Sequence, residues 1–113
     1  MSSPQVLADT LMMVSPVEYP RFVAHWLTHA DELHAAPTLT GNLVVDALVG
    51  AAVAHVAFTA GHAVPGWAEE PDRFLASFWY PGPDALFPNA LVHSPLQFTL
   101  HGVLIEADSL VSV

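Results

Sequence analysis

The run from Leu43 to Ala60 constrains this chain more than any other stretch: it is rich in Val, Ala and Leu and contains Asp46, Gly50 and His55. As a helix of eighteen residues it is barely long enough to cross a bilayer, and neither Lys nor Arg flanks it. It therefore reads as a buried core helix. Thr38 or Thr40 is expected to cap its start, and Gly61 stands where a left-handed residue ends a helix. A helix apolar nearly all round belongs at the centre of a fold, and its alanines let neighbours pack close. With 113 residues, the chain has room for one such core and hence one domain spanning residues 1–113.

Ten prolines and six glycines punctuate the rest, with no internal repeat. Ser3 and Pro4 open a first helix expected to reach about Met13, with Val6, Leu7, Thr10, Leu11 and Val14 as its stripe. Ser15 to Glu18 reads as a turn, because Pro20 follows too closely for a smooth helix. A second, amphipathic helix is expected from Pro20 to about Ala36, ended by Pro37, with Val23, Trp26, Ala30 and Leu33 on one face. Further on, the pattern suggests a short helix from Pro71 to about Phe78, with Phe74, Leu75 and Phe78 turned inward. A turn or two of helix follows from Pro88 to Val92, then a helix capped by Ser94 and closed by Gly102. Val103 to Ile105 suits a short extended segment, and Asp108 suits the cap of a last turn. The expected fold class is thus mainly α: a small single-domain bundle with short C-terminal helices and at most one short extended segment.

Charge excludes several functions. Eleven acidic residues face two basic ones, Arg21 and Arg73, for a net charge of -9. Direct nucleic-acid binding needs the opposite balance. Without lysine there is no phosphate loop of the Walker type and no Schiff base; without cysteine there is no thiol nucleophile or thiolate metal site. The apolar stretch near the start lacks a preceding positive charge, so it does not read as a secretory signal, and the expected location is cytoplasmic.

Seven histidines raise the question of a metal. On the expected second helix His25 and His29 project from one face with Glu32 close by, a set able to hold a divalent ion. The same positions also border the apolar stripe, where an imidazole sits with its edge in water. Trp26 stands where a thermolysin-like pattern requires Glu. His55 and Asp46 lie in the apolar run, nine residues apart. Each is expected to bond to groups on neighbouring segments, the alternative being an acid and a base lining a pocket. No serine lies in a nucleophile elbow. Glu69, Glu70 and Asp72 suit the start of a short helix, where Arg73 can pair with them, as Arg21 can with Glu18. No cofactor is implied.

From Gly61 onward, His62 to Leu75, Phe78-Trp79-Tyr80-Pro81, Ala90 to Pro95, Phe98 and Gly102-Val103 form a pattern. It resembles a C-terminal region of actinobacterial proteins that look antitoxin-like or regulatory and often carry it behind a helix-turn-helix domain. The resemblance covers about residues 43–108. Relatives usually have arginines where this chain has Thr99-Leu100-His101, and nothing before residue 40 looks like a helix-turn-helix. Both departures argue against direct DNA contact. The resemblance points to Trp67, Arg73, Phe74, Trp79 and Pro81 as a packed aromatic core or a partner groove, and the residues expected to touch a partner are Trp67, Arg73, Phe74, Trp79 and Tyr80. The expected function is a non-enzymatic acidic interaction module, antitoxin-like or regulatory, binding a basic protein partner such as a toxin, or a second copy of itself. The alternative is a small metal-binding or pocket-based enzyme using His25, His29, Glu32 and His55.

Overall fold

The computed structural model describes residues 3–106; the expected cap at Asp108 lies outside them. It is mainly helical, with five α-helices among the described residues: α1 (Pro4–Leu11), α2 (Tyr19–Leu27), α3 (Leu43–Thr59), α4 (Phe87–His93) and α5 (Leu96–His101). Short 3-10 turns at Pro16–Glu18, Gly66–Glu69, Pro71–Arg73 and Asp84–Leu86 connect them.

The apolar run is the axis of the molecule. From Val45 to Ala54 every residue of α3 is buried, and α1, α2, α5 and the turns between 66 and 73 all pack on it. Its start is capped by Asn42, not by Thr38 or Thr40: the Asn42 Oδ1 accepts from the amides of Val44 at 3.1 Å and Val45 at 3.2 Å. Gly61, at φ +75°, follows its C-terminus as expected. No helix among the described residues is long and apolar enough to cross a membrane.

At the start of α1, Ser3 accepts from the Val6 amide at 3.4 Å, while the Ser3 carbonyl also accepts from the Trp26 indole at 3.0 Å. One residue thus caps α1 and ties α2 to it.

Helix α2 stops at Leu27, nine residues short of the expected Ala36. The His25 carbonyl is taken by Thr28 Oγ1 at 2.8 Å and His29 Nδ1 at 2.9 Å, and the acidic pair Asp31–Glu32 is unfavourable at a helix C-terminus. Tertiary donors then claim the chain beyond. The Leu33 carbonyl receives the Trp67 indole N–H, the Pro37 carbonyl receives Arg73 Nη2, and the Thr38 amide donates to Gln5. Residues 28–42 become an irregular strap held to three separate segments, at Gln5, Trp67 and Arg73.

The expected helix from Pro71 to Phe78 is also absent. After one 3-10 turn the chain extends, with the Leu75 amide donating to the His101 carbonyl at 3.0 Å and the Trp79 amide to Gly102 at 2.8 Å. Leu104 returns an amide to Trp79 at 2.9 Å, and Trp79 and Val103 form a parallel bridge, the short extended pairing anticipated near Val103. In this conformation Phe74 and Phe78 stay exposed while Leu75 packs inward. Gly102 at φ +86° ends α5, and a Cβ there would lie 3.0 Å from that of Leu75. Ser94 closes α4 rather than capping α5: its hydroxyl donates to the Ala90 carbonyl at 2.6 Å.

Candidate functional site

The residues singled out from the sequence separate into a buried hub and a surface. At the hub Asp46, in the first turn of α3, is 3% exposed. Its Oδ1 accepts from both the amide and the hydroxyl of Thr40, at 2.9 Å and 2.8 Å. Arg73, also 3% exposed, brings Nη1 to 3.9 Å from that same oxygen and donates to the Asp46 carbonyl at 3.3 Å and to Pro37 at 3.1 Å. Its guanidinium lies 5.0 Å from the centre of the Trp67 ring. Burial pulls the Arg73 pKa down, and Asp46, then Glu70 and Asp72, oppose that pull. The local carboxylates anticipated as its partners therefore act only at a distance, and its contact partner comes from the core helix.

His101 completes the hub. Its Nδ1 donates to the Arg73 carbonyl at 2.6 Å, and its ring stacks on Phe74 with centroids 4.1 Å apart and planes 12° from parallel. Gly50 faces both residues. A Cβ on it would meet Arg73 Cβ at 2.8 Å and His101 Cε1 at 3.2 Å. Gly50, Thr40 and His101 were not legible as a cluster; the one available signal was a lone glycine inside the otherwise apolar run.

Trp67 and Trp79 are scaffold residues as well. Both are partly buried, Trp67 bonded to Leu33 and Trp79 packed on Tyr19 with ring centroids 5.8 Å apart. Of the five residues expected to touch a partner, Phe74 is the exposed one, while Tyr80, like the two tryptophans, is partly buried. Phe74 is 37% exposed. Tyr80 rests edge-on against Phe87 and lines a groove of about 270 Å³ with Val17, Leu86 and Glu106.

The alternative chemistry is not assembled. Because α2 ends early, Glu32 leaves the helix face and accepts from the amides of His34 and Ala35. His25 and His29 keep their rings 4.5 Å apart at the surface, but among the described residues no three metal-ligating side chains gather. A separate cleft of about 400 Å³ is lined by Asp31, Glu32, His34 and His62. Asp46 and His55 are two and a half turns apart on α3 and serve different neighbours. His55 is half-buried against Phe98, with centroids 5.6 Å apart. Its ring makes no hydrogen bond among the described residues, contrary to the expected bond to a neighbouring segment.

Burial lowers the pKa of His55 and His101 below their ordinary 6.5. At His101 the bond to the Arg73 carbonyl and the Glu69 carboxylate oppose this, and the Arg73 cation adds to it. The unfolded chain therefore binds protons at a pH where these folded imidazoles do not. Stability is fully present above about pH 6.5, then declines on acidification until the folded pKa values are passed, by at most about 1.4 kcal/mol per pH unit for one imidazole. Urea midpoints measured at pH 7.5, 6.5 and 5.5 should fall in that order; equal midpoints would contradict the buried environment of His101.

Neither family models, nor curated proteins, nor solved structures yield a match to this chain.

Proposed function

We propose that the chain is a non-enzymatic, acidic protein-interaction module that binds a basic protein partner. The observation that carries this reading is the fate of the two arginines. Arg73 is buried on Asp46, and Arg21 is tied to Glu18 at 2.7 Å on the surface. The carboxylates of Asp9, Asp31, Glu69, Glu70, Asp72 and Asp84 meanwhile face solvent. A surface so charged attracts cationic proteins and repels nucleic acid. The exposed ring of Phe74 and the partly buried ring of Tyr80, which lines the groove beside Val17 and Leu86, supply apolar anchors within it. An antitoxin-like or regulatory role for such a module, with a toxin as the basic partner, is what the resemblance of residues 43–108 adds.

Calorimetric titration with a basic amphipathic peptide and with its acidic counterpart tests the reading. The basic peptide should bind, and more weakly in high salt, which screens its attraction to a chain of net charge -9. Phe74→Ala and Tyr80→Ala should weaken the complex. Equal affinity for both peptides, or none for either, overturns the proposal.

A further inference from the structure

We propose that the cleft between the strap and the loop after α3 receives an arginine side chain of the basic partner; this rests on the basic-partner reading and names where that partner's cation enters. The cleft, of about 400 Å³, is lined by Asp31, Glu32 and His34 from the strap and by His62 from the loop. Its walls are held in place by the fold: the Trp67 indole donates to the Leu33 carbonyl at 3.0 Å, and the His62 amide to the Ala57 carbonyl at 2.9 Å.

The negative charge here is unanswered within the chain. Arg73 is buried on Asp46 and Arg21 is bound to Glu18, so neither pairs with Asp31 or Glu32. Among the described residues no hydrogen bond engages the side chain of Asp31, His34 or His62, and Glu32 commits one oxygen, Oε1, to the amides of His34 and Ala35. The cleft also lies just past the C-terminal ends of α2, at Leu27, and α3, at Thr59, where the last carbonyls carry partial negative charge.

The spread of these groups selects the kind of cation. No three metal-ligating side chains gather among the described residues, so one point charge cannot be met by all of them together. A guanidinium carries five N–H donors in a planar fork that can engage separate carboxylates, and its plane stacks on flat rings such as those of His34 and His62. Its methylene stem suits the apolar part of the lining, Leu33, Ala63 and Pro65. An ammonium offers neither fork nor plane.

Calorimetric titration with two amphipathic peptides of one sequence, their cations all Arg or all Lys, tests the assignment. The Arg peptide should bind about 10-fold tighter. Asp31→Asn combined with Glu32→Gln should abolish that preference, while the Gln amide oxygen still accepts from His34 and Ala35. Asp9→Asn combined with Asp84→Asn removes equal charge elsewhere on the surface and should leave the preference intact. In the parent chain, the ring proton resonances of His34 and His62 should shift on adding the Arg peptide. Circular dichroism of each variant confirms that it folds. Equal affinity of the parent for both peptides, a preference that survives the cleft substitutions or vanishes with the Asp9 and Asp84 pair, or unmoved His34 and His62 resonances overturns this inference and leaves the basic-partner reading standing. Binding of neither peptide overturns both.

Discussion

Arg73→Met is expected to destabilise the fold by about 3–5 kcal/mol, because it leaves the buried carboxylate of Asp46 without a cation and removes the donors to Pro37 and Asp46. A surface arginine paired with its sequence neighbours would lose at most about 1 kcal/mol. Chemical unfolding therefore separates the two environments directly. Asp46→Asn keeps an oxygen to accept from Thr40 while removing the charge, so it isolates the electrostatic part of the interaction. The double variant should lose less than the sum of the single losses, by about 0.5–3 kcal/mol, because the two groups answer each other in one network. Strict additivity would mean that Arg73 stabilises through its bonds to the Pro37 and Asp46 carbonyls and its packing on Trp67, and not through the Asp46 charge. Arg73→Lys should fall between parent and Met: it restores the charge but not the planar fork that reaches two carbonyls at once.

The second large effect is expected at Gly50. Gly50→Val places branched atoms where Arg73 Cβ would lie 2.8 Å and the Ala68 carbonyl 3.2 Å from the new Cβ, and neither is the free end of a flexible side chain. Separating α3 from the turn at Pro71–Arg73 should cost about 3 kcal/mol. Thermal unfolding should register this as a fall of about 10 °C in Tm. Gly66→Ala is the contrast, since a Cβ there meets nothing within 4 Å and the backbone has ordinary φ. It should be neutral or stabilising by a few tenths of a kcal/mol through the unfolded chain. If Gly50→Val were as harmless as Gly66→Ala, the close approach of α3 to Arg73 and His101 would be wrong.

These two positions also mark where reading the residues in order stops working. Arg73 stands between Asp72 and Phe74, close to two glutamates, and local charge is all that a linear pattern records. Its pairing with Asp46 depends on a loop closure across twenty-seven residues. Phe74, which residue order turns inward, is 37% exposed, because backbone pairing with residues 101–104 takes that segment out of helix. Of the proposed contact residues, Phe74 and Tyr80 were legible as large rings in a turn-rich stretch, but that their neighbours Trp67 and Trp79 belong to the scaffold was not.

Periodicity, caps and composition act within a few residues, so the helical class, the central position of Leu43–Thr59, the opening of α1 at Ser3 and the closures at Gly61 and Gly102 could all be derived from residue order. The same holds for the acidic character, which is a sum over side chains. The early end of α2, the strap from 28 to 42 and the Asp46–Arg73–His101 hub required the folded molecule, because each is a competition between local helix formation and donors arriving from distant segments. An indole or guanidinium that finds a carbonyl in the core outweighs one more helical turn, and nothing in the intervening sequence announces its arrival.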